Sequence, residues 1–282
     1  MSIVVVVGGQ FGGEGKGEIT AHLCHEYGFD VAVRCGGPNS GHTVTSNDKQ
    51  VVLRQIPAGV VTPHTKLFLA AGCLIDLNVL LAEIDSFDLT PDRLGIDYKA
   101  AIIDKKYVRE EEDTGLGVRI GSTCTGTGIA VAKRDTTASG FFSEVGISPL
   151  TVSDVIMVIR TFPIRVEGNS GPLPKEIDWE TIQRESGYPY KIQEFTTVTK
   201  NLRRVARFDL ELVKKAVCAN MPTHIALMGV DYFNYENKGV RYFSKLTQKE
   251  KDFIFWLERE LGVKISFVGT GPMDYELIDR LE

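Results

Sequence analysis

The chain opens on Ile3-Val4-Val5-Val6-Val7, a continuous β-branched run with no polar alternation, which predicts a strand buried on both faces of a parallel sheet. Turn glycines follow at once, and Ile19-Thr20-Ala21-His22-Leu23 then predicts a helix, so the first unit reads strand, loop, helix. Further strands are expected at 31–34 and 66–71. Asp76 is placed to cap a helix whose Leu77, Leu80, Leu81 and Ile84 share one face. Residues 155–159 fit a strand or a buried helix, 208–218 an amphipathic helix, and 225–230 a strand. Near the end, Thr247 and Glu250 have capping-box spacing ahead of Phe253, Trp256, Leu257 and Leu261; Gly262 stops that helix, and a strand at 265–268 runs into Gly269-Thr270-Gly271-Pro272. The alternation predicts an α/β fold with a mainly parallel central sheet flanked by helices. No repeat, low-complexity tract or linker divides the sequence, so 1–282 is read as a single domain.

Composition narrows the function more than the fold. With 282 residues, 43% hydrophobic and 24% charged, the chain is ordinary globular material. Lys plus Arg number 32 against 37 Asp plus Glu, a net charge of −5, and no basic block is longer than Arg203-Arg204 or Lys214-Lys215. That balance argues against a dedicated nucleic-acid or anionic-membrane surface and leaves small molecules as the expected partners. The five cysteines, Cys24, Cys35, Cys73, Cys124 and Cys218, are scattered without a CxxC, which suits a reducing, cytoplasmic compartment. The start has no basic n-region, and the longest apolar stretch, 67–75, is far shorter than the roughly 18 residues of a membrane span.

The chemistry concentrates in Gly8-Gly9-Gln10-Phe11-Gly12-Gly13-Glu14-Gly15-Lys16-Gly17, a P-loop-like glycine-rich segment between the first strand and the first helix. Backbone N–H groups freed of side chains, a helix N-terminus and the point charge of Lys16 are what a phosphate needs. A tight strand-to-helix turn would explain one or two of the glycines and would not call for Lys16. The loop is not a Walker A sequence, because Gln10 replaces its first Gly and Gly17 its Ser or Thr. No segment fits GxGxxG, which disfavours a dinucleotide-dependent dehydrogenase. His22 and His25 have metal-sharing spacing but no further His or Cys nearby, so ordinary helix surface is expected, and Glu110-Glu111-Glu112-Asp113 reads as a solvated acidic turn.

The glycine loop together with Pro38-Asn39-Ser40-Gly41-His42-Thr43 resembles the adenylosuccinate synthetase family, with its Gln-Trp-Gly-Asp-Glu-Gly-Lys-Gly loop and Asn-Ala-Gly-His-Thr turn. Further similarity lies at Arg54-Gln55-Ile56-Pro57, Gly95-Ile96-Asp97-Tyr98, Ile120-Gly121-Ser122-Thr123, Thr136-Thr137-Ala138-Ser139, Thr197-Val198-Thr199, Arg203-Arg204, Phe208-Asp209 and Gly269-Thr270-Gly271-Pro272. The resemblance implies a ligase that phosphorylates a purine 6-oxygen with a nucleoside triphosphate and Mg²⁺, after which aspartate displaces the phosphate. It also implies a cytoplasmic homodimer. By position, Lys16 would neutralise donor phosphate and His42 act as general acid, with Gly13 and Gly41 the positions facing Mg²⁺. Donor contacts would come from Gly12, Gly13, Glu14, Gly15, Lys16, Gly17, Gly41, His42, Thr43, Asp231, Gly269 and Gly271. Gly13, Asn39, Ser122, Thr123, Thr137 and Asn201 would surround the substrate nucleotide, and Thr197, Val198, Thr199 and Arg203 the aspartate.

Four departures sharpen that expectation. Gly13 stands where the family carries an Asp that removes the N1 proton of IMP, leaving Glu14, a backbone carbonyl or solvent for that task. Asn201 replaces an Arg that approaches ribose, and Gly229 replaces the Lys of the guanine-reading Lys-Leu-Asp. The family's Glu-Gly-(Ala/Thr)-Gln-Gly block, due between Arg134 and Asp135, is absent. Removing a carboxylate beside N1 makes room for a 2-amino group, and together these changes resemble the phage 2-aminoadenylosuccinate synthetases, which use dGMP and ATP or dATP. An IMP enzyme using GTP, or a non-catalytic nucleotide-binding relative, is the alternative.

Overall fold

The computed structural model describes residues 2–46, 49–114, 123–133 and 152–281. The first part contains β1 (Ile3–Gly8), α1 (Lys16–Glu26), β2 (Val31–Arg34), the hairpin β3 (His42–Ser46) and β4 (Lys49–Leu53), β5 (Lys66–Leu69) and β6 (Leu74–Ile75). After α2 (Leu77–Ser86) come β7 (Leu94–Ile96), β8 (Ala101–Ile102), α3 (Lys105–Asp113) and α4 (Thr127–Lys133). The second part holds β9 (Val152–Arg160), β10 (Ile164–Arg165), β11 (Glu176–Ile177), α5 (Trp179–Ser186), β12 (Arg204–Ala206), α6 (Leu210–Asn220), β13 (His224–Met228), α7 (Gln248–Leu261), β14 (Lys264–Gly269) and β15 (Leu277–Asp279).

The central sheet runs β1-β9-β13-β14-β15, with its first four strands mutually parallel and β15 antiparallel at the edge. This is the mainly parallel, helix-flanked α/β architecture expected, and it resolves 155–159 as strand. Along β9 successive side chains alternate between two cores: Ile156 and Val158 join Ile19 and Leu23 of α1, whereas Met157 and Ile159 join Val213 of α6 and Ile254 and Leu257 of α7. A strand sandwiched this way needs apolar residues at every position, which is why the run carries no period-two signal. Val31–Arg34 and Lys66–Leu69 belong to a separate parallel sheet, β2-β5-β7.

Local expectations fail where tertiary partners intervene. Helix α7 starts after Thr247 and stops at left-handed Gly262 as read, but the capping box does not form. Asn237 Oδ1 accepts the Thr247 N–H at 3.0 Å, while the Thr247 hydroxyl and both Glu250 carboxylate oxygens are buried without a hydrogen-bond partner. The acidic run is the end of α3 rather than a solvated turn, with Glu111 buried and accepting the N–H of Gly126. Asp76 caps α2 through the N–H groups of Asn78 and Val79, but of the four residues expected on its apolar face Leu80 alone is fully buried; Leu77 and Leu81 are exposed. His22 is not plain surface: Nε2 lies 3.1 Å from Asp279 Oδ2 and the ring packs edge-on against Phe267.

Candidate active site

Because β1, β9, β13 and β14 are parallel, their carboxyl ends bring Gly8, Arg160, Met228 and Gly269 to one edge of the sheet, where ligands bind in open α/β folds. The glycine loop leaves β1 here and enters α1 through Gly15 in the left-handed conformation at φ 103°. Gln10 clasps the neighbouring strand: its Nε2 donates to the Arg160 carbonyl at 3.1 Å and its Oε1 accepts the Arg160 N–H at 2.9 Å. Inside the loop Glu14 is buried, its Oε1 accepting N–H groups from Gly12 at 2.7 Å and Gln10 at 3.3 Å, with Lys16 Nζ 2.6 Å from Oε2. Burial alone would raise the Glu14 carboxyl, yet Lys16 and the backbone N–H groups of Gly12 and Glu14 outweigh it and hold it below the ordinary range. The cation expected to meet phosphate is therefore paired within its own loop.

The second predicted motif lies against the first. A Cβ at Gly17 would approach His42 Cβ at 2.9 Å, so the absence of a side chain there lets the first turn of α1 close on the histidine. Burial, reinforced by the Arg34 and Lys16 cations, pushes the His42 pKa down to about 3. Since an unfolded imidazole protonates near about 6.5, the unfolded state binds the extra proton in the interval down to about 3. Stability should accordingly fall as pH drops below about 6.5. Titration of the His42 ring by NMR should show a neutral imidazole from pH 8 to 5 in the free protein and an upward shift once a phosphate anion binds beside it; a free-protein midpoint near about 6.5 would contradict this environment.

Residues from three other segments converge on the same place. A Cβ on Gly41 would collide with Thr197 Oγ1, which sets the 38–43 turn against the loop expected to take aspartate. That loop is a tight hairpin: Thr196 N–H donates to the Asn201 carbonyl at 2.8 Å, the Thr196 and Thr199 hydroxyls are 2.6 Å apart, and Lys200 is left-handed. Val198 is half-buried and Asn201 exposed on it. The Arg203 N–H donates to the Glu194 carbonyl, and its guanidinium reaches the glycine loop, where Nη1 lies 2.7 Å from the place a Gly13 Cβ would occupy. Gly15 and Gly269 both pack on Met228, joining the donor-side positions, and Thr43 pairs with Val52 in the β3–β4 hairpin. The Asn39 side-chain Oδ1 and Thr127 both lie near Gly37, and the Thr123, Thr125 and Thr127 hydroxyls form a ladder with 3.1 and 2.9 Å steps. A Cβ at Gly271 would meet the Glu276 carboxylate. Ser122 and Thr137 lie outside the described residues.

Asp231 sits in the turn after β13, which Gly229 opens at φ 75°. It is not presented to the crevice as an open carboxylate. The side chain is buried, Oδ2 accepts the Tyr188 hydroxyl, and burial pushes its carboxyl up to about 6.

The family described as adenylosuccinate synthetase matches residues 5–135 and 130–237, two blocks that overlap at 130–135. The chain belongs to that family. The adenylosuccinate synthetase of Methanocaldococcus jannaschii is 33% identical over 342 aligned positions, covering 99% of this chain and 97% of that protein. That of Pyrococcus horikoshii is 32% identical and covers 99% of each. Among solved structures, fully ligated adenylosuccinate synthetase from Plasmodium falciparum has a TM-score of 0.83 at 19% identity, covering 99% of this chain and 100% of that one. Cyanophage S-2L succinoaminodeoxyadenylate synthetase bound to dGMP and dATP has a TM-score of 0.76 at 20% identity, covering 99% and 95%. The family's reaction makes this chain a ligase of purine nucleotide biosynthesis that joins aspartate to a purine nucleotide at the expense of a nucleoside triphosphate, with Mg²⁺. Within this synthetase, sequence reading missed Arg160, Glu194 and Tyr188. A cation directly after the apolar run of a central strand, at its carboxyl end, is the signal that would have found Arg160.

Proposed function

We propose that the enzyme takes dGMP as its purine nucleotide and ATP or dATP as its donor, giving N6-succino-2-amino-2′-deoxyadenylate. The observation that carries the reading is Gly13: the position is exposed in the crevice, carries no carboxylate, and has the movable tip of Arg203 as its nearest side-chain neighbour. A guanine 2-amino group needs the room that a side chain would take, and a hydrogen-bonding site discriminates far more strongly than an apolar one. The likeness to a cyanophage synthetase bound to dGMP and dATP supports the same substrate pair. Asp231 supports an adenine donor, because a buried carboxylate already bonded by Tyr188 is poorly placed to clasp the two N–H groups of guanine.

In this reading the N1 proton of dGMP passes to Glu14 or solvent as the 6-oxygen attacks the γ-phosphorus, and the nucleoside diphosphate leaves. The aspartate amino nitrogen then attacks C6 and the 6-oxygen departs with the phosphate. Lys16 leaves Glu14 for the donor phosphates, and His42, neutral at rest, gains a proton as phosphate charge gathers beside it and donates it to the departing oxygen. Thr197, Thr199 and Arg203 hold aspartate, the guanidinium meeting a carboxylate. Magnesium fits as an ion carried by the triphosphate, since it keeps waters and phosphate oxygens and needs few protein ligands. The Gly13 carbonyl accepts from Arg160 Nη1 at 3.2 Å, and the Gly41 carbonyl would be the protein ligand of the ion. When bound, the ion neutralises donor phosphate charge.

The test is the fate of the purine oxygen. Enzyme supplied with [6-¹⁸O]dGMP, aspartate, Mg²⁺ and ATP should release ¹⁸O-labelled inorganic phosphate together with the succinylated product, and a product formed without label in phosphate would overturn the 6-phosphoryl route. A second reading, IMP with GTP, is favoured by the curated relatives at 32–33% identity, all of them adenylosuccinate synthetases.

A further inference from the structure

We infer that Arg160 is a positioning residue that locks the phosphate loop and the aspartate loop into one register. The inference rests on the assignment of 197–203 to aspartate made above.

Arg160 ends β9 at the crevice, and its guanidinium bridges three segments that are far apart in sequence. Nη1 donates to the Gly13 carbonyl at 3.2 Å, so it holds the glycine loop at the residue expected to face the purine. Nη2 pairs with Glu194 Oε1, the same oxygen that accepts the Tyr232 hydroxyl at 2.9 Å, and the guanidinium stacks 5.9 Å from the Tyr232 ring centre. Glu194 in turn carries the aspartate loop, because its backbone carbonyl accepts the N–H of Arg203 at 2.8 Å. A planar fork with several fixed donors suits this bridging, and the weak hydration of guanidinium lowers the cost of burying it.

The consequence is directional. Without the guanidinium, Glu194 keeps a largely buried charge with the Tyr232 hydroxyl as its remaining hydrogen-bond donor among the described residues, and such a group moves toward water, taking the start of the aspartate loop with it. The glycine loop stays attached, because the Gln10 clasp uses Arg160 backbone atoms, which a substitution retains. Aspartate binding should therefore suffer much more than nucleotide binding.

Steady-state kinetics on the full-length enzyme, with the purine nucleotide and donor that the parent uses, test this. Arg160→Gln should raise KM for aspartate by on the order of tenfold or more while the nucleotide KM values stay within about threefold. Arg160→Lys should recover part of the loss, since one ammonium reaches Glu194 but does not reproduce the two-ended fork. Glu194→Gln, which keeps the shape and removes the charge, should show the same selective rise and carries the test if Arg160→Gln does not fold. An unchanged aspartate KM in either folded variant, or all KM values rising together with a lower Tm, overturns the inference. Arg203→Gln separates the two claims: if it leaves the aspartate KM unchanged, the loop assignment falls and this inference with it. If it raises that KM and Arg160→Gln does not, the Arg160 inference alone falls.

Discussion

Lys16→Ala and His42→Ala should each lower turnover by roughly two orders of magnitude or more at saturating substrates, the usual cost of losing a phosphate-neutralising charge or a general acid. For Lys16 the structure gives a reason beyond the lost cation. Its ammonium lies 2.6 Å from Glu14, so alanine leaves a buried carboxylate in the loop that must receive a triphosphate, and like charges then meet. His42 lies against the first turn of α1 with the Arg34 cation near it, and truncating it removes the imidazole there while its backbone stays paired with β4. Both variants should keep the fold, with Lys16→Ala the less stable of the two because Glu14 is left buried without its counter-charge. Measured kcat values near the parent's would remove that residue from the mechanism.

Gly13→Asp should shift specificity rather than simply abolish activity. The new Cβ would fall 2.7 Å from Arg203 Nη1 and 3.0 Å from Ile164 Cδ1, so the far end of the guanidinium, whose Nε donates to the Phe195 carbonyl at 3.3 Å, must shift. At φ 69° the backbone favours glycine, but Asp is among the residues that tolerate the left-handed region, so the strain is modest. A carboxylate there would crowd a guanine 2-amino group and would supply a base for the N1 proton of IMP. One such lost contact or clash is worth about 1–3 kcal/mol, which predicts a change of roughly 10- to 200-fold in the ratio of kcat/KM for dGMP to that for IMP. Rates for both substrates measured on parent and variant decide it, and an unchanged ratio would show that position 13 does not choose the purine.

The parts of this site legible in the sequence are those encoded by local chemistry. Strand β1, the glycines of the loop and the 38–43 turn announce themselves because a buried parallel strand, left-handed backbone and close approach each demand particular residues within a few positions. What escaped depends on partners distant in the chain. Gly13 takes Arg160 from 147 residues away, and Asp231 takes Tyr188 from 43 residues away. The Thr247 cap yields to Asn237, and Glu111 is drawn inward by an N–H 15 residues on. No window of sequence contains both members of such a pair, so pattern reading returns a solvated residue or a local cap where the fold makes a tertiary bond. The pairing of Lys16 with Glu14 is the opposite case: the partners are two residues apart, within a loop whose glycines and lysine equally suit a phosphate.

The central claim, selection of dGMP at Gly13, is tested most directly by competition in one vessel. Equimolar dGMP and IMP, incubated with enzyme, L-aspartate, Mg²⁺ and ATP, yield two succinylated nucleotides that differ in mass, and their early ratio equals the ratio of kcat/KM values. The account predicts that N6-succino-2-amino-2′-deoxyadenylate dominates that mixture. Adenylosuccinate as the main product would contradict it and return the enzyme to the IMP chemistry of its archaeal relatives.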